Sequence, residues 1–226
     1  MTVHSTSIQR SVEIGPISND PVSNAGIYRF GLKRIFDLAA IMVTLPISLP
    51  FMALLSLVIS VDGHSPFFRQ ERIGKDGRRF VMWKFRTMVP DAEKLLDRHL
   101  EANEGARKEW DAKQKLHSDP RVTHIGALLR RTSLDELPQL LNVLKGDMSL
   151  VGPRPMMPCQ QALYPGKSYY MLRPGMTGSW QVSARNTTEF ADRAEFDDSY
   201  SRRLTFFTDV RILFETVAVV IRGTGV

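Results

Sequence analysis

The reactive groups are densest in Arg130-Arg131-Thr132-Ser133-Leu134-Asp135-Glu136-Leu137-Pro138. A carboxylate amid guanidinium groups can attack phosphorus as a nucleophile or help ligate a divalent cation. The same run has a purely structural reading. Ser133 and Glu136 carry the S-x-x-E spacing of a helix capping box, with Asp135 in a first turn where negative charge is favoured. Pro138 sits badly in that register, because a proline inside a helix removes a backbone hydrogen bond. At the first helical position it is comfortable, and Asp135 and Glu136 then fall just ahead of the helix, free to face a ligand. Spacing alone leaves both readings open.

Their company favours a ligand. Arg154 stands between two prolines in Gly152-Pro153-Arg154-Pro155, Arg173 precedes Pro174-Gly175, and Arg185 lies between Ala184 and Asn186. Stiff or tight backbone restricts each side chain's anchor, which suits fixed contacts to phosphate. With Lys84 and Arg86 these residues suggest a polyanionic ligand.

Other chemistries fail on inspection. Gly166-Lys167-Ser168 looks like the end of a phosphate-binding loop, but Gln161 stands where the opening glycine belongs. There is no GxGxxG, HExxH or GxSxG, and His4, His64, His99, His117 and His124 are scattered. The single cysteine, Cys159, excludes an intrachain disulfide framework. A net charge of +6 and a pI near 9.6 attract nucleic acid, anionic lipid or phosphorylated small molecules. Basic residues interleaved with aromatics on one soluble face are weak here, so nucleic acid is not expected as a partner.

The elements that must position these groups begin with a membrane segment. From Leu38 to Val61 no side chain is charged over 24 residues. As one helix this run would reach about 36 Å, enough to cross a hydrocarbon core. Pro46 and Pro50 interrupt it, and Ser48 is placed to take up a freed backbone group. Arg29, Lys33 and Arg34 precede the segment, and Arg69, Arg72, Lys75, Arg78 and Arg79 follow it. Positive charge belongs on the cytoplasmic side, so both ends prefer the same face. A re-entrant helix-break-helix satisfies both.

The expected organisation is therefore a flexible tail over 1–27, a re-entrant membrane helix over 28–62 and a cytosolic domain over 63–226. Residues 1–27 lack the pattern of a signal peptide. In the cytosolic domain, strands are expected over Pro66–Gln70 and Arg79–Arg86 around a Gly74–Gly77 turn. Helices are expected over Asp91–His117 with an interruption near Gly105, Ile125–Arg131 and Leu137–Lys145, then a loop over Gly146–Pro158. Leu204–Arg222 reads equally as a core-facing helix or one lying on a membrane. The class is α+β, mostly helical, with a small strand element.

Five ordered blocks resemble the bacterial sugar transferase family, the monotopic polyprenyl-phosphate phosphoglycosyl transferases. They are Lys33 to Asp37, Lys84 to Met88, Ser133 to Leu140, Leu144 to Pro155 and Arg173 to Gly178. The short exopolysaccharide-priming enzymes of rhizobial type are the most similar branch, without the long N-terminal membrane domain of larger relatives. The resemblance implies transfer of a hexose phosphate, galactose or glucose, from a UDP-sugar to undecaprenyl phosphate, with UMP released. Asp135 would be the nucleophile, and Glu136 would help it hold Mg2+. Arg130, Arg154 and Arg173 would be the principal phosphate contacts, with Lys84, Arg86 and Arg185 secondary. Anionic membrane lipids and downstream glycosyltransferases of the same pathway are the implied partners. The sequence departs from many relatives at the membrane break, where Leu49-Pro50 replaces Ser-Pro and Pro46 is additional. Trp180-Gln181 also follows Gly178-Ser179 where some relatives have Gly-Trp-Ala-Gln. The rival reading is a basic membrane-surface module without catalysis, in which Asp135 and Glu136 only cap a helix.

Overall fold

The computed structural model describes residues 26–113, 116–183 and 189–222. In order come α1 (Lys33–Ile59), β1 (Phe67–Ile73), β2 (Arg79–Phe85), α2 (Ala92–Ala102), α3 (Glu104–Lys113), α4 (His124–Arg131) and α5 (Gln139–Lys145). They are followed by β3 (Ser149–Val151), α6 (Ser168–Met171), β4 (Gly175–Thr177), α7 (Ser179–Ser183), α8 (Arg193–Arg202) and α9 (Phe206–Ile221). Helices dominate, and the strands form two small two-stranded sheets, in keeping with a mostly helical α+β chain.

The helical stretch Tyr28–Asp62 is long and apolar enough to cross a membrane by length and composition. Within it α1 runs unbroken through Pro46 and Pro50, so the expected division into two helices is not a gap in the helical backbone. The two prolines leave the carbonyls of Met42 and Pro46 without their usual donors. Ser48 does not take either one; its hydroxyl lies 3.5 Å from the carbonyl of Leu45. Ile41, Leu45, Met52, Leu55 and Ile59 recur at helical spacing and pack onto the largest core cluster. The opposite face, including Val43, Ile47, Leu54 and Leu57, is exposed and apolar.

Both ends of α1 are fixed to the same body. At its start Arg34 donates to the carbonyls of Val143 and Leu144, while Asp37 accepts from Ser149 Oγ and the Leu150 amide. Past its end, Arg86 holds Asp62 through both terminal nitrogens, at 2.7 and 2.6 Å, and reaches the Ile59 carbonyl at 2.9 Å. The core cluster joins α1 to Met82 and Phe85 of β2, Leu129 of α4, and Leu140 and Val143 of α5.

Strands β1 and β2 form an antiparallel hairpin whose register runs from Phe67 opposite Phe85 to Ile73 opposite Arg79. The turn is where the sequence places it, with Asp76 and Gly77 both at positive φ. Asn142, fully buried on α5, bonds the Trp83 amide at 3.0 Å and the Val81 carbonyl at 2.7 Å, locking that helix to β2. The helical region after Asp91 divides at Asn103, two residues before the expected point.

The stretch expected as a loop after Gly146 contains β3, which pairs in parallel with β4: Ser149 opposite Gly175 and Val151 opposite Thr177. A Cβ at Gly175 would stand 2.1 Å from the Gly152 nitrogen. Only glycine permits that approach, and it pins the backbone on either side of Arg154. Helix α9 answers the remaining alternative with both halves. Asp209 and Ile212 are buried, whereas Phe207, Phe214, Val217 and Ile221 form an exposed apolar face.

Candidate active site

Asp135 and Glu136 sit in a single 3-10 turn, Leu134–Glu136, immediately before Pro138 and α5. Ser133 lies in the left-handed region at φ 56° and makes no side-chain cap, so the capping box is not formed. Leu134 and Leu137 pack on the core while the intervening carboxylates face Lys84. Ser133 pays a conformational cost that the surrounding packing sustains, as at many functional turns.

The two carboxylates converge on one ammonium. Lys84 Nζ lies 3.4 Å from Asp135 Oδ2 and 2.8 Å from Glu136 Oε1. Asp135 is 8% exposed. Burial pushes its carboxyl above the usual range and Glu136 adds to this, whereas Lys84 and Arg130 oppose it. Arg154 Nη2 is 4.0 Å from Glu136 Oε1. Arg130 is steadied by its Nε bond to Thr87 Oγ1 at 2.9 Å. Thr123 caps α4 by accepting from the Gly126 amide, and its own amide bonds the Thr87 carbonyl, so Arg130 and Thr87 share one scaffold.

Lys84, Thr87, Arg130, Asp135, Glu136 and Arg154 line a cavity of about 720 Å³, which also takes in Phe68, Phe85 and Met88. A cavity of this size, with apolar walls and a few convergent polar groups, suits a nucleotide-sized ligand. A smaller hollow continues from it between Arg154 and Gln181, sharing Arg72, Lys84 and Glu136.

Two further arginines belong here, and residue spacing alone did not single them out. Arg72 borders the cavity, and burial together with Arg154 pushes its guanidinium down to about 10. Arg193 is likewise pushed down to about 10 by burial and Arg154, and it stacks on Trp180 and Phe190 at 4.1 and 4.7 Å. The Nε atoms of both are buried without a partner. Clustered guanidinium groups with unspent donors favour an anion. Hairpin register carries the signal for Arg72: once Lys84 pairs with Phe68, strand alternation places Arg72 on the same face. Arg193 has no local signal.

Not every expected contact reaches the site. Arg86 borders the cavity, but its guanidinium is engaged with Asp62, Ile59 and Ser65. Arg173 stands apart, bonded to the Gly146 carbonyl at 2.8 Å and bordering other hollows. Arg185 lies outside the described residues.

Residues 28–223 match the bacterial sugar transferase family. The chain belongs to that family. Among bacterial sugar transferases it is 45% identical over 196 residues to the UDP-galactose-lipid carrier transferase of Erwinia amylovora, covering 86% of this chain and 41% of the relative. It is 44% identical over 196 residues to the undecaprenyl-phosphate galactose phosphotransferase of Salmonella typhimurium, covering 86% and 41%. Against the exopolysaccharide production protein ExoY of Rhizobium meliloti it is 43% identical over 196 residues, covering 85% and 87%. The chain thus spans about two fifths of the first two relatives and most of the third.

Proposed function

We propose that this sugar transferase moves a hexose phosphate, galactose or glucose, from a UDP-hexose to undecaprenyl phosphate, priming exopolysaccharide assembly. The observation that carries the reading is the Asp135–Glu136 pair, buried beside Lys84 in an arginine-lined cavity. The names of the similar proteins, which specify UDP-galactose, undecaprenyl phosphate and exopolysaccharide, supply the substrate class.

In the first step a carboxylate oxygen of Asp135 attacks the sugar-bearing phosphorus of the UDP-hexose. The phosphoanhydride bond breaks and UMP leaves with its electron pair, giving a hexose-phospho-aspartyl enzyme. In the second step an oxygen of undecaprenyl phosphate attacks the same phosphorus. Asp135 is released as carboxylate, and hexosyl diphospho-undecaprenol departs. One phosphoanhydride is exchanged for another, so no further energy source enters. Lys84 favours the ionised form of Asp135 against the effect of burial, while Arg130, Arg154 and Arg72 would hold phosphate oxygens as charge moves between them. Glu136 would orient the attacking lipid phosphate.

The donor set fits a magnesium ion. Two adjacent carboxylates converging on one cationic point, completed by substrate phosphate, form the kind of site Mg2+ occupies. Asp135 and Glu136 would hold it, and it would supply charge neutralisation at the diphosphate.

The membrane arrangement we propose is re-entrant. Both ends of α1 are fastened to one body, both flanks are basic, and the outer faces of α1 and α9 are apolar. A helix that dips into the cytoplasmic leaflet and returns satisfies all three.

The test measures UMP release by detergent-purified protein with undecaprenyl phosphate, Mg2+ and each UDP-sugar in turn. Asp135→Asn is expected to lower turnover at least 10³-fold with its unfolding midpoint unchanged, an order typical of losing a nucleophile. Turnover near that of the parent in this folded variant would exclude the covalent route.

A further inference from the structure

At the turn end of the β1–β2 hairpin, five residues along β2 from Lys84, two hollows meet. Five residues of strand put them about 17 Å from that lysine. The smaller is bordered by Arg29, Phe30, Arg34, Lys75, Met171 and Arg173, the larger by Lys75, Arg78, Gly146, Asp147 and Arg173 among others. Lys75 and Arg173 belong to both, and neither hollow shares a residue with the catalytic cavity.

Two guanidinium groups converge here on Gly146. Arg173 Nε donates to its carbonyl at 2.8 Å, and Arg34 Nη2 lies 3.7 Å from where a Cβ at that glycine would stand. The α5 carbonyls of Val143 and Leu144 hold Arg34 in place. Among the described residues, none of Arg34, Lys75, Arg78 and Arg173 forms an ion pair with a carboxylate. Asp37 also borders the smaller hollow, but its oxygens accept from Ser149 and Leu150. Asp76 and Asp147 border the larger hollow, and Asp147 accepts from Asn142. Positive charge therefore exceeds negative around both hollows.

The rim has the opposite character. Phe30 is 87% exposed and Met171 50% exposed beside the arginines, and Ile27, Leu32 and Ile35 continue this apolar edge onto the outer face of α1. A cationic hollow opening onto an apolar rim, at the entrance of a membrane helix, matches an amphiphile with an anionic head. We propose that these hollows form a binding site for the headgroup of an anionic diacyl phospholipid. Its phosphate lies among Arg34, Lys75 and Arg173, and its chains lie along Phe30 and α1. The site rests on the membrane placement of α1 and not on the transfer chemistry, so it seats the enzyme on the anionic leaflet whatever its substrate.

The test uses full-length protein in neutral detergent. Phosphatidylglycerol and phosphatidylcholine with identical chains are offered separately, and retained lipid is counted by native mass spectrometry. The parent protein is expected to keep phosphatidylglycerol about tenfold better. Lys75→Glu and Arg173→Ala should each reduce that retention about fivefold or more, the order expected for one basic residue facing an anionic headgroup. Lys108→Glu, outside both hollows, should leave it unchanged. Lys75 is exposed and makes no side-chain bond among the described residues, so folding of its variant is not in question. Equal retention of the two lipids, or full retention of phosphatidylglycerol by Lys75→Glu, would overturn the proposal. Displacement of the lipid by an equal concentration of glycerol 3-phosphate would also overturn it, by showing a free-anion site. None of these readouts depends on UMP release, so failure here and failure of the transferase reading are separable.

Discussion

Lys84 opposes burial in setting the charge state of Asp135, the proposed nucleophile. It is the one ammonium within reach of both Asp135 and Glu136 among the described residues, and burial drives the Asp135 carboxyl up in spite of it. Lys84→Met removes the attraction that favours the ionised form, so the Asp135 pKa rises further. The acid limb of the pH profile for UMP release is then expected to move to higher pH, with kcat lower by about 10²-fold. A profile that falls in height without moving would mean that Lys84 contacts substrate but does not tune Asp135. At this scale Pro138 was the informative residue: it weighed against placing Asp135 and Glu136 inside a helix without excluding it, and the 3-10 turn before α5 decides the matter. The arginines were less legible. Arg154 reaches Glu136, whereas Arg86 staples the end of α1 and Arg173 serves another surface. Arg154 and Arg173 both precede a proline, so local sequence does not separate them; where each backbone goes does.

The elements owe their precision to close backbone approaches. Gly152, Gly175 and Gly178 bring β3, β4 and the loop carrying Arg154 nearer together than any Cβ would allow. Gly175→Ala would set a methyl against the Gly152 nitrogen and the Thr177 carbonyl, neither of which is the flexible end of a side chain. A destabilisation of about 1–3 kcal/mol is expected, read as a thermal midpoint lower by roughly 2–4 °C for each kcal/mol. Turnover should fall with it, because the Arg154 loop moves. The hairpin and helices α2 to α5 and α9 were readable from alternation and periodicity, yet α6, α7, α8 and the β3–β4 pair were not. Three-residue strands carry too little pattern, and parallel pairing joins residues 26 apart in sequence, as from Ser149 to Gly175.

Across the whole molecule a buried polar knot fastens α9 to the start of α1. Asp209 is fully buried and accepts from Tyr28 at 2.7 Å, Tyr200 at 2.6 Å and Lys33 at 2.5 Å. Breaking one side of such a pair leaves an uncompensated charge, which costs about 3–5 kcal/mol. Asp209→Asn should therefore lower the thermal midpoint substantially in detergent. The double variant Lys33→Met with Asp209→Asn should regain part of the loss, since no unpaired buried ammonium remains and the introduced amide carbonyl can still accept from a tyrosine hydroxyl. If the single variant unfolds at the parental midpoint, the knot does not carry the contact between α1 and α9.

The sequence by itself determined the apolar segment with its basic flanks and the hairpin turn, and it narrowed Asp135 and Glu136 to either a helix cap or a turn just ahead of a helix. These follow from composition, local periodicity and proline geometry, which act over a few residues. Tertiary structure alone decided that Lys84 lies between the two carboxylates, that Arg72 and Arg193 join Arg154, and that Arg173 turns away. Each of those outcomes depends on which distant backbones meet, and packing and long-range pairing set those meetings only once the chain has closed on itself.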